Sequence, residues 1–308
     1  MAKSVSASKS PSASSKPAVG GRPPGLFTWV AVGVVLVIVL ALVIVKVTKN
    51  SPTSSNSGAF QATSAAMVSE LTTIPASVFN TVGVTSSVFQ VTPPLQIKNQ
   101  PALTDAVAGK ALPEVLYVGA EYCPFCAAQR WSTIIALSRF GTWKGLGDTT
   151  SSSVDQYAST PTFTFLKASY TSTYLVFKGI ERYSNVTDPN NAFYYPLMSI
   201  SKAENANLSK YDVSKYFGFP ATDDGSIPYI SMGNKFFVAG ASYTPALFEG
   251  ETRDAVASNL SSPSSPITAA IIASANYQTA ALCNLTKGQP GSVCTSPGVM
   301  AAKTALKI

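Results

Sequence analysis

The run Glu114-Val-Leu-Tyr-Val118 passes through Gly119-Ala-Glu-Tyr directly into Cys123-Pro-Phe-Cys126. Its shortness and its β-branched and aromatic residues make it a buried strand. The following stretch, PFCAAQRWSTIIALSRF, puts Phe125, Trp131, Ile134, Ile135, Leu137 and Phe140 at spacings that fit a partly buried helix. Pro124 falls in the first turn, where a backbone N–H has no intrahelical partner to lose. Both cysteines therefore lie where a strand hands over to a helix.

A helix N-terminus presents unpaired N–H groups and a partial positive charge. These favour a thiolate on the first cysteine and lower its pKa. The thiolate is the species that attacks a disulfide. Cys123 is accordingly expected as an exposed nucleophile, and Cys126, one turn along, as the resolving thiol. Pro124 restrains the first turn; Pro124 and Phe125 together are expected to tune the redox potential and to meet the substrate. Half of a zinc site, a permanently closed structural disulfide or a chance pair are the other readings. The remaining cysteines, Cys283 and Cys294, are not spaced as a second zinc knuckle, and without histidine only a four-cysteine site is possible. No metal and no cofactor is expected. The lack of histidine also removes Ser-His-Asp and Cys-His catalysis.

Leu26 to Val47 reads LFTWVAVGVVLVIVLALVIVKV, with Lys46 its one charged residue. About 20 apolar residues cross a bilayer, and Trp29 sits near one end, where an interfacial aromatic belongs. Lys3, Lys9, Lys16 and Arg22 precede the run, against Lys46 and Lys49 at its far end. The positive-inside rule then leaves the N-terminus in the cytoplasm. A cleaved signal peptide is the alternative, but its apolar region is shorter and ends at small residues, unlike VKVTKN. The expected organisation is a disordered cytoplasmic tail at 1–25, a transmembrane helix at 26–47, a linker at 48–58 and an extracytoplasmic domain at 59–308. The chain is thus read as a single-pass protein of the cell membrane, with the lipid bilayer as a partner. Four Asn-x-Ser/Thr sequons, at Asn185, Asn207, Asn259 and Asn284, follow the run and are read as glycan acceptors on surface loops. A charged fraction of 12% suits an extracellular surface. The net charge of +7 is scattered, with no basic stripe carrying interleaved aromatics, so no nucleic-acid partner is expected.

Elsewhere, 59–80 begins with a short helix broken near Pro75, and 81–112 reads as loops with one or two edge strands. A strand with tidy alternation is expected over 162–168, and a strand or hairpin over 174–183. The stretch 185–209 is polar, and 211–219 reads as a short helix closed by Gly218. Ile227 to Met232 gives a strand, Gly233-Asn234 a turn, and 235–239 the returning strand. Helices are expected over 245–260 and from Pro266 to near Cys283. Cys283 and Cys294 bracket a Gly/Pro turn that a structural disulfide would close, stabilising by about 2–3 kcal/mol; a second redox pair relaying electrons to Cys123 and Cys126 is the alternative.

The segment Val115–Phe140, above all GAEYCPFCAAQRW, resembles the thioredoxin superfamily. Within it, the chain looks like an uncharacterised archaeal, Sulfolobus-type family of membrane-anchored thioredoxin-like proteins. The resemblance implies an α/β fold with a thioredoxin-like mixed sheet flanked by helices. Its core is expected at about 112–262, with an insertion at about 141–226 and a C-terminal helix and disulfide loop at 265–308. It also implies a cis-proline facing the two cysteines, and Ile227-Pro228-Tyr229 fits that position. There Pro228 joins the catalytic set, and the Ile227 backbone pairs with a bound substrate chain. The acid that thioredoxins bury beneath their cysteines has Glu114 and Glu121 as candidates. Glu121 is expected to be a solvated charge, as is Arg130 on its helix. The implied activity is a thiol–disulfide oxidoreductase. It would act on the thiols and disulfides of exported proteins and answer to a membrane redox partner. A structural or interaction module of a surface complex, with a static Cys123–Cys126 bridge, is the competing expectation.

Overall fold

A computed structural model describes residues 60–85 and 90–308. The expected tail, membrane span and linker lie outside the described residues. Among the described residues no helix is long and apolar enough to cross a membrane. The chain divides into two units, Met1–Ser51 and Pro52–Ile308, and the described residues all belong to the second.

One strand organises the mixed α/β fold. Lys110–Gly119 is 10 residues long and changes partner along one edge. Its start pairs antiparallel with Thr104–Val107, and its end, from Glu114, pairs in parallel with Val176–Glu181. Along the other edge it meets Tyr229–Met232, antiparallel, with Tyr229 opposite Val118. Phe236–Ala239 and then Leu95–Gln96 extend the sheet outward.

Alternation along the strands splits the core into two layers. Val115, Tyr117, Ile230, Met232, Phe236 and Val238 face one cluster, which includes Trp131 and Ile271 from the helices Pro124–Ser138 and Pro266–Leu285. Leu116, Val118, Tyr229 and Phe237 face the other, against Leu208 and Tyr211 of the helix Lys202–Tyr211. Covered on both faces, the central strand shows no polar alternation, as parallel strands do not.

Several elements depart from the sequence reading, each for a physical reason. The helix from Pro124 is buried on nearly every side rather than partly. Pro266–Leu285 packs on its outer face through hydrogen-bonded small polar residues, such as Ser132 with Ser274 and Thr133 with Gln278. The strand expected over 162–168 is Pro161–Thr164, buried at all four positions. It forms the edge of a small sheet with Gly147–Thr150 and Gln61–Ala62. Within the expected insertion at 141–226, Val176–Glu181 belongs to the main sheet instead. Past it, Tyr183–Asp188 turns away into a hairpin with Phe193–Pro196.

The polar stretch 185–209 carries the start of a helix, Lys202–Tyr211. Ser201 and Glu204 close a capping box at its N-terminus, each side chain bonding the other's backbone N–H. The short helix after it is only Ser214–Phe217, ended by Gly218 at φ 75°. The single helix expected over 245–260 is a 3-10 turn, Pro245–Phe248, then Arg253–Asn259; Gly250 at φ 73° breaks the path between them. Pro75 caps the second of two short helices, Ala65–Thr72 and Ala76–Val82.

Asp212 stands at the C-cap of Lys202–Tyr211, fully buried, and neither carboxyl oxygen has a hydrogen-bond partner. Burial, with the nearby Asp224 charge, pushes its pKa up to about 7.

Candidate active site

Gly119 ends the central strand, and Ala120–Tyr122 turn the chain into the helix. Cys123 is the N-cap, with extended φ −76° and ψ 121°, and Pro124 opens the first turn. Most N-caps use an oxygen side chain; here the Cys123 Sγ accepts the Cys126 backbone N–H at 3.2 Å. The Cys123 thiol donates to the Ile227 carbonyl oxygen at 3.6 Å. The Ile227–Pro228 peptide is cis, and the Pro228 carbonyl accepts the Gly240 N–H at 2.9 Å. Pairing of Tyr229 with Val118 holds that loop against the cysteines.

Both thiols are free. Cys123 is not the exposed nucleophile that the sequence led us to expect: it is 5% exposed, covered from the Ile227 side, and Cys126 is 0% exposed. Burial pushes the Cys123 thiol up. Hydrogen bonds from the Cys126 thiol and N–H, the Arg130 charge and the Phe125 N–H outweigh burial and bring it below the ordinary thiol value. Burial raises Cys126 well above that value, and its bond to Cys123 raises it further. Attack by Cys123 and delayed ionisation of Cys126 is the order this arrangement favours.

Arg130 is a second correction. It is not a solvated helix charge; it is 0% exposed beneath the thiols. Its Nε and Nη2 donate to the two Glu181 carboxylate oxygens at 2.8 and 2.6 Å, and Nη2 also reaches the Ala120 carbonyl at 2.8 Å. Glu181 further accepts the Phe165 N–H at 3.2 Å. A buried charge of this kind persists only when paired and hydrogen-bonded. Glu181 had no sequence signal: it lies 51 residues away, at the end of a strand whose partner was unassigned. Glu121 is likewise buried, against expectation, because its N–H is tied to the Tyr183 carbonyl at 2.8 Å. Burial raises the pKa of both Glu121 and Glu114.

Pro124 is buried, while Phe125 is 42% exposed, its ring nearly perpendicular to that of Tyr157. Tyr122 stacks on Tyr194 at a centroid distance of 4.2 Å, so the hairpin flanks the cysteine turn.

Cys283 and Cys294 form a disulfide with Cα atoms 5.5 Å apart, and both are buried. The sequons do not fall on surface loops. Asn185 is in a strand, Asn207 and Asn284 are in helices, and Asn259 ends one. Asn207 donates to Asn234 at 2.7 Å and accepts the Tyr229 hydroxyl at 2.6 Å, so its amide is engaged inside the fold. Asn185 donates to the Thr150 carbonyl, and Asn284 accepts from Lys235. Only Asn259 is exposed among the four. Among the described residues no group of three or more Cys, Asp or Glu side chains is placed to hold a metal ion.

Fold and site together define a mixed α/β protein with a buried dithiol at a helix N-terminus. The family described as a domain of unknown function, DUF929, matches residues 99–284, and the chain belongs to that family. No curated protein and no solved structure matches it.

Proposed function

We propose that this chain is a thiol–disulfide oxidoreductase of thioredoxin-like fold, tethered outside the cell membrane by the apolar run at 26–47 and acting on exported proteins. The observation that carries the reading is the Cys123 sulfur. It is the N-cap of a helix, it accepts the Cys126 N–H, and it faces the Ile227 carbonyl before Pro228. That setting lowers the pKa of the attacking thiol and leaves its partner protonated. The sheet order supports the fold assignment. Phe236–Ala239, Tyr229–Met232, Lys110–Gly119 and Val176–Glu181 lie side by side, the last two parallel. The cysteine helix covers one face and Lys202–Tyr211 the other, as a thioredoxin-like fold requires.

In the cycle, the Cys123 thiolate attacks a substrate disulfide and forms a mixed disulfide, releasing one substrate thiolate, which takes up a proton. Cys126 then displaces the second substrate thiol and the enzyme pair becomes a disulfide. Run backwards, the same steps oxidise a substrate dithiol. The test is dithiol exchange on a small-molecule disulfide, comparing the full chain with Cys123→Ser. Exchange that is absent, or that survives the substitution, rejects the reading.

The near-complete burial of both sulfurs favours a second reading, an interaction module with a static Cys123–Cys126 bridge. A catalytic pair is reduced by mild thiol and Cys123 is alkylated first; a static bridge resists both.

A further inference from the structure

Two polar groups beneath the cysteines lack partners. The Tyr117 hydroxyl and Arg130 Nη1 are both fully buried, and neither makes a hydrogen bond. Buried donors without partners are uncommon, because desolvation is not offset. The two belong to one place: the Arg130 Cζ stands 5.8 Å from the Tyr117 ring centroid. Glu181 and the Ala120 carbonyl occupy Nε and Nη2, which leaves Nη1 as the uncommitted side of the guanidinium.

The strand makes room for this hydroxyl. Gly119 stands two residues beyond Tyr117 on the same strand face, and a Cβ at Gly119 would collide with the Tyr117 oxygen. Tyr117 therefore reaches along the strand toward the end from which the cysteine turn departs. Both the hydroxyl and the guanidinium are within electrostatic reach of Cys123 and Cys126. Of these sulfurs Cys126 has the greater need, since it is the more deeply buried and burial outweighs the Ala120 backbone N–H and the Arg130 charge that favour its thiolate.

We propose that the Tyr117 hydroxyl and Arg130 Nη1 are a donor pair held in reserve for the Cys126 sulfur, stabilising it as it ionises to resolve the mixed disulfide. The proposal rests on the oxidoreductase reading and names residues that the reading does not need. In the resolving step Cys126 gives up its thiol proton and its sulfur bonds to Cys123 Sγ. The bond from Cys123 to the substrate sulfur breaks, and the substrate sulfur leaves with the electron pair and takes up the proton. The enzyme pair is oxidised and the substrate reduced, with no further reactant. Tyr117 and Arg130 would act directly on the reacting Cys126 sulfur, and neither touches substrate.

Reduced full chain, mixed with one equivalent of a chromogenic aromatic disulfide, tests this. The first coloured thiolate reports attack by Cys123 and the second reports resolution by Cys126. Tyr117→Phe keeps the ring and removes the donor. It is expected to slow the second release about tenfold more than the first, the effect of one lost hydrogen bond to a charge. The pH midpoint of the second release should also rise. Gly119→Ala, which drives a methyl into the hydroxyl, should slow the same release. A second release unaltered in rate and pH midpoint in Tyr117→Phe, or both releases slowed alike, overturns the proposal while leaving the oxidoreductase reading standing. A wild-type chain that gives no first release overturns both.

Discussion

The two cysteine pairs sit at opposite ends of helices. Cys123 caps the start of Pro124–Ser138, while Cys283 lies in the last turn of Pro266–Leu285 and Cys294 ends the short helix Gly291–Cys294. Both pairs are buried, yet one is free and the other bonded. Burial therefore does not separate them; the backbone does. The start of a helix offers N–H groups to a sulfur, and the Cys123 Sγ takes one of them. The end of a helix offers carbonyls and a partial negative charge, which disfavour a thiolate. There the neighbouring donors serve the backbone: Lys303 Nζ bonds the Cys294 carbonyl at 2.8 Å, and the Gly288 N–H bonds that of Cys283. The same side chain meets helix N–H groups in one place and is closed in a bond in the other.

The strongest way to break this comparison is to swap serine into each pair. In the full chain Cys123→Ser should abolish dithiol exchange, whereas Cys283→Ser with Cys294→Ser should leave it intact. Equal losses would mean that the bonded pair relays electrons. Removing the charge beneath the free pair comes next. Arg130→Met strands Glu181 and should destabilise the fold by about 3–5 kcal/mol, read by chemical denaturation. A loss below about 1 kcal/mol would mean that the buried ion pair is not what holds this region together. Opening the bonded pair should cost somewhat less, about 3 kcal/mol, for a sequence separation of 11. The smallest effect is a displacement in pH. Alkylation of Cys123 in the reduced chain should be half-maximal below the ordinary thiol range, and that of Cys126 above it. Coincident midpoints, followed by mass spectrometry of the labelled peptides, would erase the asymmetry within the free pair.

Local chemistry made the cysteine turn legible. Glu114 to Val118, the cysteine spacing and the apolar pattern after Pro124 are all contained in one stretch, so strand, turn and helix could be read together. Long-range pairing was not legible. Arg130 looked like a helix surface charge because the layer that covers it, Pro266–Leu285, and its partner Glu181 come from distant segments. Val176–Glu181 looked like inserted material, since nothing local announces which edge of the sheet a strand joins. Ser201-Lys-Ala-Glu204 did carry a visible helix-start signal, and the polarity around it masked the helix that follows. The sequons misled in another way: a three-residue pattern says nothing of whether the asparagine amide is already engaged, as Asn207 is.

Asp212 gives the fold a proton balance. A carboxyl whose pKa rises from 3.8 to about 7 on folding binds a proton more tightly in the native state than in the unfolded chain. Its contribution to stability is full below about pH 4 and is lost as pH climbs toward 7. Glu114 and Glu121 are raised in the same direction, while Glu204, paired with Lys178, pulls the other way. At Asp212 folding is thus coupled to proton uptake, and mild acid stabilises the folded state through this carboxyl. Asp212→Asn should raise the melting temperature at neutral pH and flatten its decline between pH 4 and 7; an unaltered slope would assign the uptake to the glutamates. For the exchange reaction proposed above, the acid range that keeps the Asp212 carboxyl protonated is also the range in which the Cys123 thiolate is scarcest, so acid surroundings would trade speed for persistence.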